Sequence, residues 1–227
     1  AKRDELLAPL SAVSGIIERR HTLPILSNVL IDRAEGTLSF LATDIEIQVR
    51  TISTGDLGGE DASITVAAKT LHDILRALPD GAEVTLQQQD KRLQVKAGKS
   101  RFTLQTLPAE DFPKLAKPAG DVTRFALPQK ALRRLLGLVQ YAMAQQDIRY
   151  YLNGLLVLVE DQQLRLVATD GHRLAYAAMP LASSLPRQEV IVPRKTILEL
   201  SKLLADTDEE VRIVSARELA DAEREDL

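Results

Sequence analysis

Apolar positions along this chain switch between two periods. Leu6, Leu10 and Val13 fall on one stripe of a 3.6-residue repeat and predict a helix over about residues 5–14. Leu71, Ile74, Leu75 and Leu78 predict a second over 69–78, and Leu132, Leu135, Leu136 and Val139 a third over 128–142. Ile197, Leu200 and Leu204 predict a fourth over 194–205. Between the helices the pattern is that of strands. Ile25 to Ile31, Leu38 to Leu41, Leu152 to Val159 and Leu164 to Ala168 are apolar runs, and Ile45-Glu46-Ile47-Gln48-Val49 alternates as a half-buried strand does. Leu93 to Ala97 and Arg101 to Leu107 flank a turn at Gly98.

These elements recur. Leu38-Ser39-Phe40-Leu41-Ala42-Thr43-Asp44 is similar to Leu164-Arg165-Leu166-Val167-Ala168-Thr169-Asp170, 126 positions on (38 to 164). Val66-Ala67-Ala68-Lys69-Thr70 matches Val192-Pro193-Arg194-Lys195-Thr196 at the same offset, and so do Val29 to Ile31 with Leu155 to Val157 and Leu6, Leu10 and Val13 with Leu132, Leu136 and Val139. Four separated segments in one register imply a duplicated domain. The expected architecture is α+β, with two helices packed on antiparallel sheet in each repeat. The junction falls in Lys117-Pro118-Ala119-Gly120-Asp121, which divides the chain into domains 1–118 and 119–227. The second repeat reads as incomplete. Its last two strands would start near 219, whereas Ser215 to Leu227 is charged and Ala-rich, and reads as helix or frayed tail and not as a hairpin.

Composition narrows the chemistry. The 227 residues contain no Cys, which removes thiolate chemistry, disulfides and Cys-based zinc sites. The three His, at 21, 72 and 172, have no metal-ligand spacing, so no metal or other cofactor is expected. Apolar runs fall far short of the roughly 20 residues a membrane span needs, and AKRDELL does not open like a signal peptide. A cytoplasmic protein is the expectation. The net charge of −3 argues weakly against a nucleic-acid binder but leaves room for one whose positive charge is confined to one surface.

The helices supply such a surface. Lys69, Asp73 and Arg76 recur as Lys195, Glu199 and Lys202, each set on one face away from the leucines. Lys130, Arg133 and Arg134 form a purely basic cluster, and Arg19 and Arg20 follow the first helix. Acidic residues gather elsewhere, at Glu110-Asp111, Asp206 and Asp208-Glu209-Glu210. For any one helix a solvated face with i, i+4 pairs is the plainer reading. Taken together, the pattern suits phosphate contacts that read no bases.

Thr169-Asp170-Gly171-His172-Arg173 is the one stretch that suggests catalysis, through Asp170 and His172 as an acid–base pair. Asp-Gly, however, reads first as a turn, and the Asp recurs as Asp44 without a His. A structural cap is the more economical role. Two alternatives stay open: a hydrolase using Asp170 and His172, and a protein–protein adaptor whose basic helices are only solvated faces.

Several segments resemble the bacterial DNA sliding clamps. Arg20-His21-Thr22-Leu23-Pro24-Ile25-Leu26 is similar to their RPTLPIL, Asp147 to Gly154 to DVRYYLNG, Ala168 to Leu174 to ATDGHRL, and Val190 to Lys195 to VIVPRK. Ser100 to Pro113 is similar to SRFSLSTLPAADFP. The resemblance runs from about residue 2 to 214. It implies a non-enzymatic processivity factor that encircles duplex DNA and tethers the replicative polymerase and clamp-loader subunits. The family has three such domains per chain and closes two chains head to tail, so this chain alone is expected not to close that ring. The resemblance places Arg20 and Gln146 at duplex DNA, Tyr150 and Tyr151 at single-stranded template, and Leu152, Thr169, Gly171, His172, Arg173 and Leu174 in a wall of the peptide-binding pocket. Together with the helix cations Lys69, Lys130, Arg133, Arg134, Lys195 and Lys202, these are the candidate site residues.

Overall fold

The computed structural model describes residues 1–17, 23–53, 58–115 and 122–216. The chain divides into two compact units, Ala1–Leu115 and Ala116–Leu227.

In unit 1, helix α1 (Arg3–Ser14) is followed by strands β1 (Asn28–Ala34), β2 (Thr37–Thr43), β3 (Gln48–Ile52) and β4 (Ala62–Ala67). Helix α2 (Ala68–Ala77) comes next, then β5 (Thr85–Gln89), β6 (Arg92–Ala97) and β7 (Ser100–Leu107). The strands form one sheet in the order β3-β2-β1-β4-β7-β6-β5, with every pairing antiparallel. The leucine stripes explain the packing. Leu6, Leu10 and Val13 of α1 and Leu71 and Leu75 of α2 share one buried cluster with Val29, Ile31, Phe40, Val66 and Val95 of the sheet. Each fully buried Leu contributes roughly 1.5–3 kcal/mol.

Unit 2 repeats the plan. It contains β8 (Val122–Pro128), α3 (Gln129–Val139), β9 (Gly154–Thr169), β10 (Leu174–Pro193), α4 (Arg194–Leu203) and β11 (Glu210–Ala216). Helix α4 starts and ends 126 residues after α2 (68 to 194, 77 to 203), and α3 starts 126 after α1 (3 to 129). β9 spans the positions of β1 and β2, and β10 those of β3 and β4. The register repeats as well: Thr43 faces Gln48 as Thr169 faces Leu174, and Asn28 faces Ala67 as Gly154 faces Pro193. Even the turn between β1 and β2 recurs, with Glu35 and Asp161 both at φ 51°. Leu132, Leu135, Leu136 and Val139 of α3 and Ile197 of α4 pack with Leu155, Leu164, Leu166 and Ala175.

The structure corrects four boundaries. Pro24–Ser27 is a 3-10 turn, so the strand expected from Ile25 begins at Asn28; the proline at its first position fixes φ and supplies no N–H for a ladder. Tyr150–Leu152 is also a 3-10 turn, and β9 starts only at Gly154. The alternation of Ile45 to Val49 is misleading, because residues 43–47 form a closed turn and the strand runs Gln48–Ile52. Ser215 and Ala216, expected in a helix or tail, are the last residues of β11, paired with Thr123 and Val122 of β8. Residues 217–227 lie outside the described residues.

Candidate functional site

Two turns, at the same place in each repeat, organise the site. In unit 1, the Thr43 hydroxyl donates to the Ile47 carbonyl at 2.7 Å and accepts from the Ile45 N–H at 3.0 Å. The Asp44 carboxylate accepts from the backbone N–H groups of Glu46 and Ile47. In unit 2, Thr169 donates to the Arg173 carbonyl at 2.7 Å and accepts from the Gly171 N–H at 3.1 Å. Asp170 accepts from the N–H groups of His172 and Arg173, each at 3.0 Å. The same five-residue device thus lies between β2 and β3 and between β9 and β10. It needs one residue with positive φ, which is Ile45 at 82° in unit 1 and Gly171 at 88° in unit 2.

In unit 2 the turn carries exposed chemistry. His172, Arg173 and Leu174 are exposed, Leu174 by 65%. The Arg173 guanidinium is held from two sides: its Nε donates to Asp170 at 2.9 Å, and it lies 5.4 Å above the centre of the Tyr141 ring. Backbone donation from Arg173 and His172, with the Arg173 side chain adding to it, keeps the Asp170 carboxyl below its ordinary range. Its oxygens are therefore committed to building the turn. These bonds give Asp170 the geometry of a structural cap. Of the remaining pocket candidates, Leu152 is buried.

A second loop leans on that turn. Arg149 makes a two-point contact with Asp147, Nε to Oδ1 at 2.9 Å and Nη2 to Oδ2 at 2.8 Å, and its own N–H donates to Oδ1 at 2.8 Å. These bonds, the side-chain ones first, hold the Asp147 carboxyl down at about 2. Asn153 closes the loop at its base: its Oδ1 accepts from the Asp147 N–H and its Nδ2 donates to the Asp147 carbonyl. The Arg149 guanidinium lies against the turn, so close that a Cβ on Gly171 would sit 3.2 Å from Nη2. Glycine avoids both this close approach and the strain of the positive φ. The same loop displays Tyr150 and Tyr151, exposed by 83% and 48%, edge to face at 5.8 Å. Gln146 is exposed just before it. Sequence reasoning missed Asp147, Arg149, Asn153 and Tyr141 as supports; the Asp-x-Arg spacing was their one local signal.

The helix cations fall into groups. Arg133, Lys195 and Lys202 line one groove of unit 2 with Arg194, Gln140, Gln145, Leu198 and Glu199. At the corresponding place in unit 1, Lys69 and Arg76 line a groove with His72, Asp73 and Ser14. Several of these charges are tethered. Lys69 pairs with Asp73 at 3.3 Å, Lys202 with Glu199 at 2.7 Å, and Lys130 with Asp208 at 2.6 Å. The acidic run at 208–210 is therefore not separate from the basic helices, as its place in the sequence suggests, because β11 brings Asp208 back beside the start of α3. Arg133 and Arg134 are exposed and take part in no ion pair among the described residues. Arg20 lies outside the described residues.

Fold and site together define a duplicated α+β protein of the clamp type, whose repeated turn carries the exposed His172, Arg173 and Leu174 in the second repeat. Residues 1–116 match the N-terminal domain of the DNA polymerase III beta subunit, and residues 126–226 its central domain. The chain belongs to the DNA polymerase III beta subunit family. It is 47% identical over 212 residues to the beta sliding clamps of Salmonella typhimurium and Escherichia coli K12, covering 93% of this chain and 58% of each relative. The crystal structure of the Pseudomonas aeruginosa DNA polymerase III subunit beta superposes with a TM-score of 0.91 at 46% identity, covering 95% of this chain and 59% of that one. The Caulobacter crescentus pol III beta superposes at 0.87 with 41% identity, over 95% and 60% of the two chains. The chain thus spans rather more than half the length of the relatives it matches.

Proposed function

We propose that this chain is the DNA-tracking and peptide-binding part of a sliding clamp: a scaffold without catalytic chemistry that surrounds duplex DNA in the cytoplasm. The 126-residue duplication supports the same clamp-type arrangement of two helices on antiparallel sheet in each repeat, with domain one at 1–118 and domain two at 119–227. The observation that carries the DNA reading is the pair Arg133 and Arg134, exposed on α3 and unpaired among the described residues while the leucines of that helix are buried. A cationic helix face meets phosphates at any sequence, and a closed ring needs no tight contact to stay on DNA. Arg20, Lys69, Lys130, Gln146, Lys195 and Lys202 extend that surface, and Tyr150 and Tyr151 offer faces for unpaired bases to stack on.

Thr169, Gly171, His172, Arg173 and Leu174, with Leu152 as wall, present one side of a pocket for apolar-anchored peptides of the replicative polymerase and clamp loader. A fluorescence titration of the chain with duplex DNA over a range of salt tests the reading. Weak, sequence-independent binding with a steep salt dependence is expected; affinity that ignores salt or prefers one sequence sinks it.

A further inference from the structure

We propose, on the reading of the helix cations as phosphate contacts, that the groove between α1 and α2 in unit 1 binds a phosphodiester of a nucleic-acid backbone and that proton uptake at His72 strengthens the site. The groove is lined by Ser14, Lys69, His72, Asp73 and Arg76. His72 stands three residues after Lys69 and four before Arg76, on one face of α2. Its ring is one-quarter exposed. Two contacts define its chemistry. The Ser11 hydroxyl donates its proton to the Leu7 carbonyl at 2.7 Å, so toward Nε2 of His72, 3.1 Å away, it can only accept, and Nε2 carries a proton. Nδ1 lies 3.9 Å from Oδ1 of Asp73, and in the neutral ring it offers that carboxylate only a lone pair. A second proton goes to Nδ1, where it meets a negative charge. Imidazole is the side chain that ordinarily changes charge between about pH 5 and 8. Uptake acts twice. It sets a third cation between Lys69 and Arg76, and it draws on Asp73, whose Oδ2 otherwise holds the Lys69 ammonium at 3.3 Å.

The surroundings leave this effect to a few groups among the described residues. α1 turns the neutral Ser11 and Ser14 to the groove, and α2 supplies Lys69, Asp73 and Arg76. β1 and β4, packed under α2, bring the apolar Val29, Ile31, Ile64 and Val66 to the shared core. Arg3 sits at the last turn of α2, bonded to the Leu75 and Arg76 carbonyls and to Asp4 and Asp80. The equivalent groove of unit 2 has no such group. At the offset of 126, Leu198 takes the place of His72, Arg194 that of Ala68 and Arg133 that of Leu7. That groove sets Arg133, Arg194, Lys195 and Lys202 against the one carboxylate of Glu199. In unit 1, Lys69 and Arg76 against Asp73 leave a single positive charge, and a proton on His72 makes it two. With so small a fixed surplus, the charge of one imidazole decides how strongly the groove attracts phosphate.

The test uses the 227-residue chain and a short rhodamine-labelled duplex DNA. A phosphodiester keeps its one charge throughout the range in which imidazole titrates, so a change of affinity with pH lies in the protein. Anisotropy titrations over a range of salt are made at about pH 8 and about pH 5.5, for the native chain and for His72→Gln, whose amide can still donate to Ser11. At the higher pH the two salt slopes are expected to agree. At the lower pH the native slope should exceed that of the variant by up to roughly one unit. His21 and His172 are present in both chains, so the difference between the chains isolates His72. A second measurement needs no variant: the NMR titration of the His72 ring should move to higher pH when DNA is added, because proton and phosphate favour each other's binding. Salt-dependent binding whose pH response is the same in both chains, or a ring titration that DNA does not move, overturns the proposal and leaves the DNA reading in place. Binding that ignores salt at both pH values overturns the two together.

Discussion

Thr43 and Thr169 make the same bond at positions 126 apart: each hydroxyl donates to the carbonyl four residues on, to Ile47 and to Arg173, at 2.7 Å in both cases. Their surroundings differ. Thr43 is buried, and Thr169 lies at the surface beside the exposed His172 and Arg173. Thr43→Val should take the hydroxyl from the part-buried Ile45 N–H and from the buried Ile47 carbonyl, which keeps the Asp44 N–H as donor, and cost about 1–2 kcal/mol, while Thr169→Val, at the surface, should cost no more than about 1 kcal/mol. Urea unfolding of the two variants checks the ranking; equal losses would mean that burial does not set the cost.

The two turns also predict substitutions of opposite sign. Ile45 is a β-branched residue at φ 82° with its side chain half in solvent, so Ile45→Gly should relieve strain and stabilise unit 1 by roughly 0.5–1 kcal/mol. Gly171→Ala introduces that strain and pushes a methyl group to 3.2 Å from Arg149 Nη2. It should destabilise unit 2 by about 1 kcal/mol and displace Arg149. Thermal unfolding, with NMR of the Arg149 side chain, reads both.

Asp147 sets the pH behaviour of the tyrosine loop. Its carboxyl is lowered from 3.8 to about 2 by the bonds from Arg149. The folded value lies below the unfolded one, so the bridge contributes fully above the unfolded value and fades as pH falls through about 2. The loop should therefore keep its order from neutral pH down to about 4 and loosen only below it. Chemical shifts of the Arg149 and Asn153 amides across an acid titration would show this; a loop that loosens well above about pH 4 would mean that Asp147 does not hold it.

If the DNA reading is right, the cations are not equivalent. Arg133→Ala and Arg134→Ala should each weaken binding at every sequence and lower the salt slope by roughly one unit. Lys130→Ala and Lys202→Ala should do less, because Asp208 and Glu199 already neutralise those ammonium groups. Identical slopes for all four variants would show that the ion pairs do not persist beside DNA.

The peptide reading is separable from the DNA reading. His172→Ala with Leu174→Ala should reduce affinity for a clamp-binding peptide about tenfold or more in a chain that contains all three domains, with DNA binding unchanged. A hydrolytic turnover abolished by the double change would restore the catalytic alternative.

How much of this was legible before the fold depends on the reach of each signal. The leucine stripes placed all four helices, and the 126-residue offset was plain in the letters, because helical periodicity and repetition are local properties that any stretch of chain displays. The Thr-Asp pairs were visible for the same reason, and the asparagine and arginine around them were not. Arg149 bears on the second turn because it reaches Gly171, and Lys130 is quenched because Asp208 returns beside it across 78 residues. The alternation of Ile45 to Val49 imitates a strand in sequence, yet the Asp44 carboxylate gathers the N–H groups of Glu46 and Ile47 into a turn. Periodicity reports which face of an element is apolar. Which charges stay free and which loop supports the second turn are decided by groups far apart in the chain, and only folding brings those groups within bonding distance.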